Sequence, residues 1–323
     1  MSKPRKVLIK IENLKKWFPA SGKGQVKAVD DVSFDIYVGE VLGLVGESGC
    51  GKTTLSRMIL GLEKATDGEV FYDGEPLFQK NRLERRKLCQ KMQMVFQDPF
   101  SSLDPKMTVK KIIEEPLTVN GHNVISARTK RVREMIEMVE LPADCLNRKP
   151  GSFSGGQRQR ICIARALSVN PEFLICDEPV SALDVSIRSQ ILNLILSLQR
   201  RFGLTTLFIS HDLSVVEYVC DRIVVMYLGK VMEIANRDDL YKNPAHPYTK
   251  ALLSAIPVPD PEVKMNPEIL EGDLPSPLKP PTGCRFKTRC PMACEICDSE
   301  PALQSLGNGH FCACHFAKNT LNK

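Results

Sequence analysis

"VLGLVGESGCGKTTLSRMILGL", residues 41 to 62, carries an apolar run into a glycine-rich turn and out again into a helix-forming stretch. Inside it, "GESGCGKT" (Gly46 to Thr53) fits the pattern G-x-x-x-x-G-K-[ST] and lies between a buried strand and a helix, which is the context the pattern requires. The glycines let backbone N–H groups curl around phosphate oxygens, and the helix N-terminus adds its positive end. Lys52 is placed to reach β- and γ-phosphates and Thr53 to offer a hydroxyl to Mg²⁺, with Gly46, Ser48, Gly49, Cys50, Gly51 and Thr54 completing the cradle. The structural alternative is a tight strand-to-helix turn, but chance would give the whole pattern in roughly one chain in a hundred of this length.

Outward from this loop, residues 7 to 45 alternate as strands do, and "VSFDIYV" sets Val32, Phe34, Ile36 and Val38 on one face. A hairpin signal follows at "DGEVFYDG". From about Lys110 to Leu167 apolar residues recur at helical spacing, as in Val132, Met135, Ile136 and Val139. "FLICDE", "TTLFIS" and "RIVVMYLG" read as apolar strands, with the amphipathic "VSIRSQILNLILSLQRRFG" between the first two. Strands alternating with helices predict an α/β fold with a largely parallel sheet. The expectation is a P-loop core with an N-terminal antiparallel β region, over residues 1–255, and a helical subdomain at about 98–167. Past Ala255 the chain turns proline-rich and aperiodic, so residues 256–323 read as a Pro/Cys-rich extension.

At 323 residues the chain exceeds the usual single-core size. Its 44 Lys and Arg against 38 Asp and Glu leave +6, mixed along the sequence, which is no argument for a nucleic-acid partner. The basic N-terminus lacks an apolar core, and nowhere do about eighteen apolar residues run together. A soluble, cytosolic chain is expected. In a reducing compartment the dense cysteines of "CRFKTRCPMACEIC" (284 to 297), followed by Cys312 and Cys314, favour metal ligation over disulfides.

Two further motifs carry chemistry. "FLICDEP" is an apolar strand ending in Asp177 and Glu178, suited to holding Mg²⁺ through water and to polarising an attacking water. "FSGGQ" puts Ser154, Gly155 and Gly156 at a helix start, a second anion-binding terminus. Alone, the first is more often a solvated turn or helix cap and the second by default a flexible helix start; downstream of a phosphate loop the odds for the first reverse.

In order, "GESGCGKT", "FQDP" with Gln97, "FSGGQ", "FLICDE", "SALD" (Ser181 to Asp184) and "SHD" with His211 resemble the ATP-binding cassette ATPases over residues from about 7 to 255. The resemblance implies a sandwich dimer in which Ser154, Gly156 and Gln157 of one subunit close over ATP on the phosphate loop of the other, with Asp184 in the nucleotide-contacting set. It implies that Gln97 senses Mg²⁺, that His211 contacts the γ-phosphate and that Phe18, beside Trp17, stacks on adenine. His211 has a plainer alternative, a polar residue at a strand end beside an Asp212 that caps the next helix.

Phe153 replaces the leucine common in the superfamily, and together with "NPAHPYTKALLSAIP" and the cysteine tail it resembles the oligopeptide/dipeptide importer branch, closest to its F-type subunit. That implies an ATP-hydrolysing subunit, peripheral on the cytoplasmic face of the membrane. Its partners would be a homologous ATPase or a second copy of itself, two transmembrane permease subunits and, indirectly, an external solute-binding protein, with no nucleic acid. Nickel or another small solute is an alternative cargo. A soluble cassette acting on nucleic acid or ribosomes is a further alternative, although such proteins generally carry two cassettes or a long coiled-coil insertion. Cys284, Cys290, Cys297 and Cys314 align with four cysteines of the branch, for which a [4Fe–4S] cluster is implied. The spacing itself, C-x5-C-x6-C-x16-C, matches no common zinc or ferredoxin pattern, and Zn²⁺ on four thiolates stays open. Cys294 and Cys312 are additional, and Cys294 with Cys297 forms a rival C-x-x-C pair.

Overall fold

The computed structural model describes residues 5–20, 24–256 and 272–320. The chain groups into two compact units, one of Met1–Lys6, Tyr37–Glu40 and Gln79–Ile209, the other of Val7–Ile36, Val41–Phe78 and Ser210–Lys323.

In the second unit, strands Gln25–Tyr37, Val7–Pro19, Asp67–Tyr72 and Glu75–Pro76 lie side by side in that order. Val7–Pro19 pairs antiparallel with Asp67–Tyr72, setting Ile9 opposite Tyr72 and Ile11 opposite Val70. The period of two buries Val32, Phe34 and Ile36 as expected. Val38 breaks that expectation at 51% exposed, because the strand ends at Tyr37 and Val38 enters a turn.

A second sheet in this unit holds the nucleotide loop's strand. Val41–Val45 pairs parallel with Arg222–Tyr227, which turns at Leu228 and Gly229 to pair antiparallel with Lys230–Asn236. The tail then adds two strands: His310–Cys312 lies against Lys230–Asn236, and Gln304–Gly307 against His310–Cys312. The tail is thus part of this sheet, fixed by a buried acid. Glu233, 0% exposed, accepts from the backbone N–H of Ala245 (2.7 Å) and His246 (2.9 Å), and its Oε1 lies 2.7 Å from His310 Nε2. A buried carboxylate is tolerated only with such partners. Beside it, Tyr227, Tyr248 and Phe286 form a fully buried aromatic cluster with centroids 4.8 to 5.4 Å apart, the spacing at which tilted and edge-on rings attract.

The first unit has three parallel strands, Met92–Val95, Phe173–Asp177 and Thr205–Ile209. Helices Val109–Val119, Ile125–Met138, Gly155–Leu167 and Val185–Phe202 occur where helical periodicity places them. Helix Arg82–Lys91 and strand Met92–Val95 were not expected. The helix starts on a capping box in which Asn81 accepts from the Glu84 backbone and Glu84 accepts from the Asn81 backbone.

Burial holds the His246 imidazole neutral, its pKa pushed down to about 4. The unfolded chain therefore takes up a proton near pH 6.5 that the folded chain refuses until near pH 4. This group's contribution to stability is full above pH 6.5 and is lost through that window, about 3 kcal/mol in all. The wild-type melting temperature is expected to fall between pH 6.5 and 4 more steeply than that of His246→Asn, whose amide still offers a helix cap but does not titrate. Equal slopes would place the proton elsewhere.

Candidate active site

Backbone geometry makes the phosphate loop what it is. Gly46 has φ +149° and Gly51 φ +108°; a Cβ on Gly46 would sit 2.2 Å from the Met226 carbonyl oxygen, and one on Gly51 2.1 Å from that of Ala28. Glycine is required twice over, for conformation and for space. Helix Lys52–Ile59 starts directly after Gly51. Lys52 is buried, and its Nζ donates to the carbonyls of Gly46 (2.7 Å) and Glu47 (3.0 Å) and lies 3.7 Å from Cys50 Sγ. Ser48, Gly49 and Thr53 are exposed and Thr54 is half-buried. Cys50 is 2% exposed and burial pushes its thiol up against the opposing effect of Lys52, so it is a poor nucleophile.

Elsewhere in this unit, Phe18 is half-buried with Lys16 Nζ 4.9 Å over its ring. Trp17 has its Nε1–H on Asp30 Oδ1 at 3.1 Å and Lys27 Nζ 4.7 Å over its ring. His211 is exposed. Asp212 does cap helix Leu213–Val219, its Oδ1 accepting from Ser214 N (3.0 Å) and Val215 N (3.4 Å).

The first unit carries the carboxylates. Asp177 ends its strand at 3% exposed. Glu178 follows at φ +45°, a left-handed conformation that costs a side-chain-bearing residue and needs neighbours to impose it. Those neighbours are present: Glu178 N donates to the Ile209 carbonyl at 3.0 Å, and the Glu178 carbonyl accepts from Ser181 N (3.3 Å) and Oγ (3.1 Å). Gln97, exposed just past strand Met92–Val95, donates from Nε2 to Glu178 Oε2 at 2.9 Å. The fold thus brings together two side chains 81 positions apart.

Ser154 caps helix Gly155–Leu167. Its Oγ accepts from Gln157 N at 3.4 Å, and Gln157 Oε1 accepts from Ser154 N at 3.1 Å. A Cβ on Gly156 would stand 2.5 Å from Ile187 Cγ2, so the glycine lets helix Val185–Phe202 approach. Asp184 precedes that helix, exposed, its side chain making no cap bond.

In the tail, Cys284, Cys290, Cys297 and Cys314 line one cavity of about 10 Å³, together with His246 and Phe286. That is room for about one water molecule. Burial pushes the thiols of Cys284 and Cys314 up and that of Cys290 to about 11, and the neighbouring thiols add to each shift. They are therefore protonated at neutral pH. Among the described residues no group of three or more His, Cys, Asp or Glu is arranged to hold a metal ion. The four thiols for which a [4Fe–4S] centre is expected thus converge on a space of single-water size. Cys294 is exposed and does not line the cavity, while Cys312 is buried in the core with Ala245 and Ala317.

A strand–phosphate loop–helix segment in one unit, and in the other a strand ending in Asp177 and a constrained Glu178 beside a glutamine, define an ATPase of the ATP-binding cassette class. The family described as "ABC transporter" matches residues 29–181, and "Oligopeptide/dipeptide transporter, C-terminal region" matches residues 232–297. The chain is 50% identical to an oligopeptide transport ATP-binding protein of Haemophilus influenzae, over 95% of this chain and 94% of that one. It is 49% identical to another so described in Bacillus subtilis, over 96% and 98%. A solved structure, the dimeric ATP-binding cassette MJ0796 in a post-hydrolysis state bound to ADP and Pi, matches with TM-score 0.65 and 32% identity over 71% of this chain and 99% of that one. The chain belongs to the ABC transporter ATPases, in their oligopeptide/dipeptide branch.

Gly49 and Gly51 separate conformation from space. Gly49 has φ +79° with nothing near its absent Cβ, whereas Gly51 has a carbonyl there. In urea unfolding, Gly49→Ala is expected to cost about 1 to 2 kcal/mol, and Gly51→Ala at least twice that.

Proposed function

We propose that this chain is the ATP-hydrolysing subunit of an importer that carries di- or oligopeptides across the cytoplasmic membrane. The observation that carries the reading is Glu178, held in a left-handed conformation directly after Asp177 with Gln97 on its carboxylate. Strain imposed on one acidic residue by surrounding hydrogen bonds is characteristic of a group whose position matters more than its comfort. Lys52 and Thr53 hold the phosphates and Mg²⁺, Gln97 senses the metal, Asp177 binds it through water, and Glu178 polarises the attacking water. His211 contacts the γ-phosphate and Phe18 the adenine. Because hydrolysis of a phosphoanhydride asks mainly for alignment and charge neutralisation, these roles account for catalysis.

Ser154, Gly156 and Gln157, with Asp184, serve a second cassette in an ATP sandwich, whether that cassette is a homologous ATPase or another copy of this chain. In support, Ser154 presents a capped helix start of the kind that binds anions, and the related MJ0796 cassette is dimeric. Residues 1–255 form the nucleotide-binding domain, with the helical subdomain at about 98–167, and residues 256–323 the extension. Among the described residues no helix is long and apolar enough to cross a membrane, which suits a peripheral subunit on the cytoplasmic face of two permease subunits. The peptide cargo is carried over from relatives described as oligopeptide transport proteins.

For the tail, the finer reading is that Cys284, Cys290, Cys297 and Cys314 hold a [4Fe–4S] cluster, with Zn²⁺ as the alternative. It is supported by the four thiols lining one cavity, and it requires the cavity walls to open and the thiols to lose their protons. Protein purified without oxygen is expected to be brown with about four irons and four sulfides per chain. Colourless protein with one zinc would leave the thiolate site and replace the cluster; neither metal would leave the cysteines as core residues.

Glu178→Gln is expected to lower ATP turnover by roughly two to four orders of magnitude while leaving nucleotide affinity intact. Lys52→Ala is expected to weaken binding itself, read by titration with a fluorescent nucleotide. Normal hydrolysis in Glu178→Gln would remove the assigned base.

A further inference from the structure

The cysteine-rich tail grips the phosphate loop by a side chain that the loop's chemistry does not require. Arg289, just before Cys290, donates from Nη1 to both carboxylate oxygens of Glu47, each at 3.0 Å. Glu47 is the second residue of the loop, and its backbone N–H donates to Tyr248 Oη at 3.0 Å. The pair is mostly shielded, Arg289 being 11% and Glu47 25% exposed. Arg289 Nη1 also lies 3.5 Å from Tyr227 Oη, so the guanidinium rests on the buried cluster of Tyr227, Tyr248 and Phe286. Four residues earlier in the tail, Arg285 forms a buried ion pair with Asp30. Asp30 N donates to the Gly229 carbonyl, and Gly229 N to that of Cys50 in the loop, both at 2.9 Å.

Electrostatics makes the first contact consequential. Of the charged side chains in this loop, the Lys52 ammonium favours an anion, as do the N–H groups before helix Lys52–Ile59. Glu47 is the exception, a carboxylate inside an anion-binding loop that opposes the incoming phosphates.

We propose that Arg289 is a positioning residue for nucleotide binding: it neutralises Glu47 and fixes the start of the phosphate loop, so that affinity for Mg-ATP depends on the tail. This rests on the phosphate loop being the ATP site. If the pair only fastens the tail, its loss lowers stability and leaves affinity alone.

The test uses the full chain and a fluorescent ATP analogue with Mg²⁺, comparing wild type, Arg289→Ala, Arg289→Lys, Glu47→Gln and the double variant Glu47→Gln/Arg289→Ala, with melting temperatures alongside. Arg289→Ala is expected to weaken binding about tenfold, raising KM with kcat changed less than about twofold. The defect should shrink as salt is added. Arg289→Lys, which keeps the charge, should bind within about threefold of wild type. The double variant should recover most of the loss, because no carboxylate is left to neutralise. Wild-type affinity in Arg289→Ala, or a double variant as weak as the single, would overturn the proposal. Should Arg289→Ala fail to fold, Glu47→Gln decides: equal or tighter binding supports the neutralising role, and weaker binding sinks it. Lys52→Ala is the control, since normal binding there would discredit the phosphate-loop assignment and not the part played by Arg289.

Discussion

Much of the nucleotide-loop unit depends on one carboxylate that water never reaches. Glu233, in the middle of strand Lys230–Asn236, gathers the backbone of Ala245 and His246 on one side and the His310 ring on the other. The partners come from two stretches beyond its own strand: the residues leading into helix Pro247–Ser254, and the tail strand His310–Cys312. A buried acid stripped of its partners would cost several kcal/mol, so the three stretches stand or fall together. From that anchor the contacts run outward. His246 packs 5.8 Å from Phe286, Phe286 packs on Tyr227 and Tyr248, and Tyr248 accepts the Glu47 amide of the phosphate loop.

The loop shows how such a frame serves the chemistry. Lys52 is engaged by the carbonyls of Gly46 and Glu47, so in its proposed role binding a phosphate would mean exchanging two neutral acceptors for anionic oxygens. Hydrogen bonds to charged acceptors are about twice as strong as neutral ones, and the lysine need not be brought in from solvent, so little ordering entropy remains to be lost. Glu178 follows the same logic in the other unit. Its backbone is fixed by Ile209 and Ser181 and its side chain by Gln97, an orientation that its proposed role would call for.

How much of this the sequence discloses depends on the range of the interaction. The phosphate loop, its strand and its helix are local, and "VLGLVGESGCGKTTL" displays them because five apolar residues and the glycines must fall in that order. The acidic pair at the end of "FLICDE" is legible for the same reason. Helix Arg82–Lys91 was hidden because "RLERRKLCQK" is charged on nearly every side and shows no apolar stripe; its readable signal was the capping pair Asn81 and Glu84. The tail hairpin also had a signal that went unread, Asn308-Gly309 between Gln304–Gly307 and His310–Cys312, with φ of +51° and +77° as a tight two-residue turn demands. What no local pattern could reveal is pairing across 77 positions, as for Glu233 and His310, or across 242, as for Glu47 and Arg289. Those partners are chosen by the folded sheet.

The density of cysteines in the tail has a physical reading that holds with or without metal. Buried, Cys284, Cys297 and Cys314 pack as small residues and fill a short segment that has few large ones. A cation entering among them would displace protons from thiols already pushed upward, and its binding free energy would then add to the stability of the tail. Arg285, Phe286 and Arg289 all lie between Cys284 and Cys290. The residues that grip Asp30, the aromatic cluster and Glu47 therefore occupy the loop joining two of the thiols. Whatever bonding those sulfurs adopt sets the geometry of that loop, because five intervening residues cannot absorb a large displacement at both ends while three of them are held by buried or half-buried partners. The state of the thiols and the placement of Glu47 are in this way one structural problem, and a cysteine-rich appendage can bear on a phosphate loop more than two hundred residues away in sequence.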